Sequence, residues 1–348
     1  MWLFFLLVFV IVSLGALLSR YKIYFLRLIF FLFFIISAFR SPIVGNDTQD
    51  YRDLFINLQT SSIENYTWRY EKGFLLFNKC ISYISSDPQF LIIAIAALTC
   101  LAYYMLIKRY SLIPWISVYL FFTLRYFDLS MNIARQTLAL SSIFVAFYFL
   151  TKKKFLPFLV FILLATNFHN TAFIFIIAWF VYDVKDNKKF LTLLSLLTIL
   201  GFSMFSSIFS FILNYFPTYN YYLNSSYMDG NTRTATMLNI LVSFVIILFV
   251  YLIKYPKNKV NDLVFKLLLI GLSISIISIR FSLLDRVSDY FSVFSIILLP
   301  NAIYLQKNKK YFLIICYILI ISFFAYSLSI LILRPDWNRI YPYEFFFQ

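Results

Sequence analysis

Long apolar runs without a single acidic residue constrain this chain more than any other feature. Tyr24–Phe39, Pro88–Ile107 and Tyr311–Leu333 are three of them, and more lie between. A bilayer core about 30 Å thick takes about 20 apolar residues per helical span. Soluble domains are roughly half apolar and a quarter charged, whereas 62% of these residues are hydrophobic and 13% charged. The expected fold is an all-α polytopic integral membrane protein with about 11–12 transmembrane helices. It is expected to form a single transmembrane domain over residues 1–348, with amphipathic helices on one face. No basic residue precedes the N-terminal apolar run, so that run is expected as the first span and not as a secretory signal.

Cys80, Cys100 and Cys316 are too few and too scattered for a disulfide framework or a metal site. Only 6 glycines occur, beside 44 phenylalanines and 27 tyrosines. Bulky rings must therefore fill the interior where glycine would normally let helices approach.

Basic clusters set the orientation. Arg20/Lys22/Arg27, Lys108/Arg109, Lys152–Lys154, Lys185/Lys188/Lys189, Lys254/Lys257/Lys259 and Lys307/Lys309/Lys310 recur at every second break between apolar runs. They are assigned to the cytoplasm. Breaks 40–87, 125–131, 166–170, 208–236, 280–289 and 334–348 then face outward, and the spans near 155–166 and 171–182 are short enough for a re-entrant hairpin. Lysine gathers inside, while Arg40, Arg52, Arg69, Arg125, Arg135, Arg233, Arg280, Arg286, Arg334 and Arg339 lie on the outer side or near outer span ends. Topology asks for few basic residues there. Arginine chosen over lysine points to forked recognition of phosphate or carboxylate.

The first outer stretch, Arg40 to Tyr51, breaks its helix at Pro42 and Gly45. Asp47 is expected to cap a surface helix whose face is Tyr51, Leu54, Phe55 and Leu58, with Arg40 and Asp47 turned to a polar cavity. A second surface helix carries Phe74, Phe77, Ile81 and Ile84 on one side and Asn78, Ser82 and Ser85 on the other. At the next break Ser130 or Asn132 can cap the inward helix that carries Arg135 in its first turn. A helix N-terminus beside an arginine suits an anion. The alternative is an Arg135–Asp128 pair that anchors the helix end.

His169 is the only histidine, near the depth expected for Arg40, Arg135 and Arg280. Asn170 or Thr171 can cap the helix that follows it. Imidazole suits proton transfer; the plainer reading is an interfacial anchor. Loop 208–236 brings Tyr215, Tyr219, Tyr221, Tyr222 and Tyr227, which read mostly as an aromatic belt, and Arg233 near a span entrance. Arg280 sits late in an apolar helix, where a guanidinium needs an anion or a wet cavity. Asp285 and Asp289 can pair with Arg286. The tail 334–348 can cover the site or lie at the surface.

Five pieces resemble the Wzy-type polysaccharide polymerases, in particular the EpsG-like branch: Arg40…Gly45-x-Asp47…Tyr51, Glu71-x-Gly73-Phe74, Ala134-Arg135-Gln136-x-x-Ala139, Phe168-His169-x-Thr171-Ala172 and Arg286…Tyr290. They follow the family's order over residues 40–295, whereas the tail and Asp285 match no part of it. The resemblance implies a glycosyltransferase of the lipid-phosphate-sugar (GT-C) type in the bacterial inner membrane, with its site toward the periplasm or outside. A glycan would leave undecaprenyl pyrophosphate for the non-reducing end of a lipid-linked repeat unit, as in O-antigen, capsule or exopolysaccharide assembly. It implies no nucleotide sugar, no metal and no other cofactor. The partners implied are the undecaprenyl-pyrophosphate-linked oligosaccharide, the lipid bilayer, and a chain-length regulator and flippase of the same pathway; no nucleic acid is expected.

Fixed arginines stabilise a diphosphate leaving group more in the transition state than in the ground state. Arg135 with Arg280 or Arg286 is assigned to the donor pyrophosphate, Arg40 and Arg233 being further binding candidates. His169 is the first choice of base and Asp47 the second. Glu71, Tyr51, Gln136 and Tyr290 would position sugar hydroxyls or support the arginines. A flippase or other transporter would spread polar groups through the membrane's depth and interrupt its spans with glycine or proline. A ligase would share the arginines and the histidine.

Overall fold

The computed structural model describes residues 1–215, 234–306 and 308–347. Arg233 and tyrosines 219, 221, 222 and 227 lie outside the described residues. The helices, in chain order, are α1 (Trp2–Leu17), α2 (Lys22–Ala38), α3 (Thr48–Thr60), α4 (Lys72–Ser82), α5 (Pro88–Tyr110), α6 (Pro114–Thr123), α7 (Tyr126–Asn132), α8 (Ala134–Thr151) and α9 (Phe155–Phe168). They continue as α10 (Ile177–Tyr182), α11 (Asn187–Ser203), α12 (Phe205–Tyr215), α13 (Thr234–Ile253), α14 (Lys259–Ile277), α15 (Leu284–Ser292), α16 (Ser295–Tyr304) and α17 (Lys309–Leu333). Among the described residues the only β pairing is an isolated bridge between Arg40 and Phe345.

The protein is an all-α, multi-pass membrane protein. Six helical stretches among the described residues are long and apolar enough to cross a bilayer: Pro88–Tyr110, Ala134–Thr151, Thr236–Ile253, Lys259–Ile277, Leu284–Tyr304 and Lys309–Leu333. The pair Asn187–Ser203 and Phe205–Phe211, bent by 74°, makes a seventh if it is one span. Other stretches expected as spans are shorter apolar helices: Trp2–Leu17, Pro114–Thr123, Phe155–Phe168 and Asn170–Tyr182. Hydropathy alone cannot see why. The run after Pro114 stays apolar, but Arg125 adopts a left-handed φ of 67° and ends the helix there. The backbone packs as two compact units, Met1–Phe173 with Ile303–Gln348, and Ile174–Ala302.

In the first unit α2 packs on α5, α5 on α8, and α8 on α9. Rings fill the interior, as the scarcity of glycine demands: Phe33 stacks on Phe127 at 4.4 Å and Tyr103 meets Phe121 at 4.3 Å. The amphipathic α3 buries Tyr51, Leu54, Phe55 and Leu58, the face its periodicity predicts. These residues join Tyr70, Phe74 and Leu75 in one cluster with Leu91, Ile95, Ala134 and Leu138 of α5 and α8. The surface helices are thus fastened to the spanning ones. α4 buries Phe74, Leu75 and Asn78, and Phe77 and Ile81 of the expected face pack half-buried against the same cluster. Asn78 goes inside because its Nδ2 donates to the Phe74 carbonyl at 2.8 Å, and Ile84 is exposed.

In the second unit α14 packs against α10, α11, α13 and α15. Lys266 is buried in α14 and donates to the Val184 carbonyl, and Asn301 donates to Asn261 at 3.1 Å. Both contacts satisfy polar groups that would otherwise be costly in an apolar interior.

Candidate functional site

Glu71 is the residue around which the first unit's polar side chains gather. It immediately precedes α4, and its carboxylate is 9% exposed. Oε2 accepts from Arg135 Nη1 at 2.8 Å. Oε1 lies 3.1 Å from His169 Nδ1 and accepts the Asn170 backbone N–H at 3.2 Å. Burial alone would push the Glu71 carboxyl up. The hydrogen bond with His169 and the positive charge of Arg135 outweigh burial and bring its pKa down to about 2. The group is therefore a carboxylate at any physiological pH.

Two local features bring these distant residues together. His169 leaves α9 in an extended conformation, which turns its ring away from the helix path. Gly73 lets the start of α4 approach that same point: a Cβ there would lie 2.6 Å from Asn167 Cβ and 2.7 Å from its carbonyl oxygen. The Glu71-x-Gly73 spacing thus places a carboxylate beside the histidine. The same carboxylate receives the Asn170 N–H at the start of the short 3₁₀ helix Asn170–Ile176.

Arg135 sits in the first turn of α8 as expected, but its partner is Glu71, whereas Asp128 pairs with Arg125 at 3.0 Å. Its guanidinium lies 5.0 Å from the centre of the Tyr70 ring. It also donates to the Tyr51 hydroxyl, which burial holds well above the ordinary tyrosine pKa. Its Nε is buried without a hydrogen-bond partner. Tyr51 in turn donates to Asp47 Oδ2 at 3.5 Å. One polar chain therefore runs His169–Glu71–Arg135–Tyr51–Asp47. Gln136, next to Arg135, is buried. Tyr70, which supports Arg135, was not singled out from the sequence; its place directly before Glu71 was the available signal.

Other expectations are corrected. Arg40 does not face a cavity. It is 1% exposed, and its nitrogens donate to the Ser37 carbonyl at 2.5 Å, the Met131 carbonyl at 3.1 Å and Thr48 Oγ1 at 3.4 Å. Burial lowers its pKa to about 10, so it stays cationic and holds three backbone segments together. Asp47 precedes α3 but its side chain caps none of that helix's N–H groups. Neither Ser130 nor Asn132 caps α8: Ser130 donates to Phe127, and Asn132 bonds Asp47 and Asn338. Arg280 falls just past the end of α14, exposed, with its guanidinium 4.4 Å from the centre of the Phe202 ring. The helix ends at Ile277, and Arg280 lies in the turn that follows it. Asp285 accepts from Ser278 at 2.8 Å and Thr236 at 2.9 Å, while Arg286 is exposed and Tyr290 buried. Arg280, Arg286 and Tyr290 belong to the second unit.

Fold and site together define a polytopic helical membrane protein with a carboxylate-organised arginine–histidine site at the ends of its helices. The EpsG family model matches residues 23–345, nearly the whole chain, and the protein belongs to that family. Membership implies an enzyme of glycosyltransferase or polymerase type. No curated protein and no solved structure matches the chain.

Proposed function

We propose that this protein is a polysaccharide polymerase. It transfers a glycan from undecaprenyl pyrophosphate to the non-reducing end of a lipid-linked repeat unit on the periplasmic or outer face of the bacterial inner membrane. The observation that carries the reading is the single carboxylate of Glu71 holding Arg135 on one oxygen and His169 on the other. A carboxylate only accepts, so Nδ1 of neutral His169 carries the proton and the ring's lone pair stands on Nε2. That tautomer is the one a general base needs, with an orienting carboxylate behind it.

In the proposed step Nε2 takes the proton of the acceptor hydroxyl as its oxygen bonds to the donor's anomeric carbon. The bond from that carbon to the pyrophosphate oxygen breaks, and the electron pair leaves on the pyrophosphate. Arg135 meets the charge that grows there. Fixed by Glu71, Tyr51 and Tyr70, it needs little reorganisation, so it favours the transition state over the ground state. Asp47 is the second candidate base, reached through Tyr51. The basic clusters set the outward orientation of this reading.

The test is polymerisation by the purified protein in bilayer discs, given a lipid-pyrophosphate-linked repeat unit as sole substrate. A ladder of lengthening products is expected from the wild type and none from Arg135→Ala or His169→Ala. Ladders from both variants sink the assignment. The same assay on Arg280→Ala and Arg286→Ala measures the binding roles expected of those residues.

A further inference from the structure

The C-terminal segment 334–347 is tied to the last turn of α2 and to the stretch between α2 and α3. Ser41 N–H donates to the Glu344 carbonyl at 2.9 Å, Gly45 N–H to Arg339 at 3.0 Å, and Phe346 N–H to Phe39 at 3.0 Å. Asn46 Nδ2 donates to the Asp336 and Trp337 carbonyls at 3.2 and 2.9 Å, and Tyr343 donates to Ile36 at 2.5 Å. Arg339 holds a left-handed φ of 52°, a conformation costly for a side-chain-bearing residue, where its carbonyl meets Gly45. A loose tail would relax it. The segment is a fixed strap.

Its buried polar side chain is Asn338, 2% exposed, whose Oδ1 accepts from Asn132 Nδ2 at 3.0 Å. Asn132 Oδ1 accepts the Asp47 backbone N–H at 3.3 Å. Asn132 is the last residue of α7, and only Ile133, with φ −97° and ψ 65°, separates it from α8. Arg135 is the second residue of α8. The Met131 carbonyl at the same break is held by Arg40 and Thr48. Two routes therefore lead from Asn338 to Arg135: through the break between α7 and α8, and through Asp47 and Tyr51.

We propose that Asn338 is a positioning residue of the glycosyl-transfer site, acting through Asn132 to set Asp47 and the aim of Arg135. This rests on the polymerase reading above. The strap then serves as a permanent part of the site and not as a moving lid. Displacement of a catalytic guanidinium by about 1 Å is enough to cost roughly a hundredfold in rate.

The experiment compares Asn338→Leu, which removes the acceptor at similar size, with Asn338→Asp, which keeps it. Full-length protein in bilayer discs is assayed with the lipid-pyrophosphate-linked repeat unit, and thermal unfolding is followed in parallel. Asn338→Leu is expected to lower kcat by ten- to a hundredfold with KM within about twofold, Tm nearly unchanged, and Asn338→Asp restoring most of the rate. Wild-type kcat in a folded Asn338→Leu protein, beside an inactive Arg135→Ala, overturns the strap proposal alone. Full activity in Arg135→Ala removes the polymerase site itself. If Asn338→Leu does not fold, Asn132→Asp is read instead. It keeps the Asp47 contact and loses the donor to Asn338, and wild-type kcat there overturns the proposal equally.

Discussion

Replacement of Glu71 by glutamine keeps the shape of the site and removes the charge between Arg135 and His169. The carboxyl pKa falls from an ordinary 4.5 to about 2 in the folded protein. That difference corresponds to about 3 kcal/mol of preference for the charged form. Arg135, His169 and the Asn170 N–H share it. The amide oxygen can still accept, but its NH₂ end only donates and can pair with neither a guanidinium nor an Nδ1–H. One of the two partners must turn away. If most of the lost interaction is expressed in the transition state, kcat falls roughly a hundredfold, with KM little changed. Initial rates of ladder formation from the lipid-linked repeat unit measure this directly. In thermal unfolding, combining Glu71→Gln with Arg135→Ala should cost much less than the two losses added, with a coupling of about 1–3 kcal/mol. Full activity in Glu71→Gln, or strict additivity in the pair, refutes the claim that this carboxylate organises the site.

The remaining expectations concern the fold around it. Gly73→Ala puts a methyl against Asn167 backbone and side chain, so we expect a loss of about 1–3 kcal/mol in stability and a comparable loss of activity, read by unfolding in detergent. Arg40→Ala leaves the Ser37 carbonyl without its side-chain donor and the Met131 carbonyl with only the longer bond from Thr48. The yield of folded protein, by monodisperse elution from membranes, should collapse well before any change in activity per folded molecule. Because the folded pKa of Glu71 is depressed, its stabilisation is fully present above about pH 4.5 and is lost as pH falls through about 2. The part of the stability gap between wild type and Glu71→Gln that comes from the carboxylate should therefore close as pH falls below about 4.5, as tracked by thermal unfolding against pH. Tyr51→Phe removes one hydroxyl between Arg135 and Asp47 and should lower kcat by less than about tenfold.

Periodicity made the packing of α3 readable, because an amphipathic face needs only local information. For α4 it placed Phe74, Phe77 and Ile81 against the core but missed Asn78, which satisfies its own donor on the helix backbone and so can be buried. Charge segregation pointed to Arg135 and His169 by residue type. Their common partner was beyond the reach of spacing, since Glu71 lies 64 residues before Arg135 and 98 before His169. The contact depends on how closely Gly73 approaches Asn167, a tertiary fact. Arg40 shows the opposite limit: an arginine at a span end reads as a ligand-binding group until its partners are seen to be carbonyls of its own chain. The tail was expected either over the site or at the surface, and the backbone bonds and the Asn46, Tyr343 and Asn132 side-chain bonds that fasten it are tertiary facts that spacing does not show.

One imidazole serves the whole chain, so uniform ¹⁵N-histidine labelling gives a single, unambiguous signal pair. Its ¹⁵N spectrum in bilayer discs, taken at mildly alkaline pH, reads the state of each ring nitrogen. We expect a protonated Nδ1 and an unprotonated Nε2, with the tautomer balance shifting in Glu71→Gln. A proton on Nε2 in the neutral ring, or a spectrum unchanged by Glu71→Gln, contradicts the idea that Glu71 holds this histidine ready as a base.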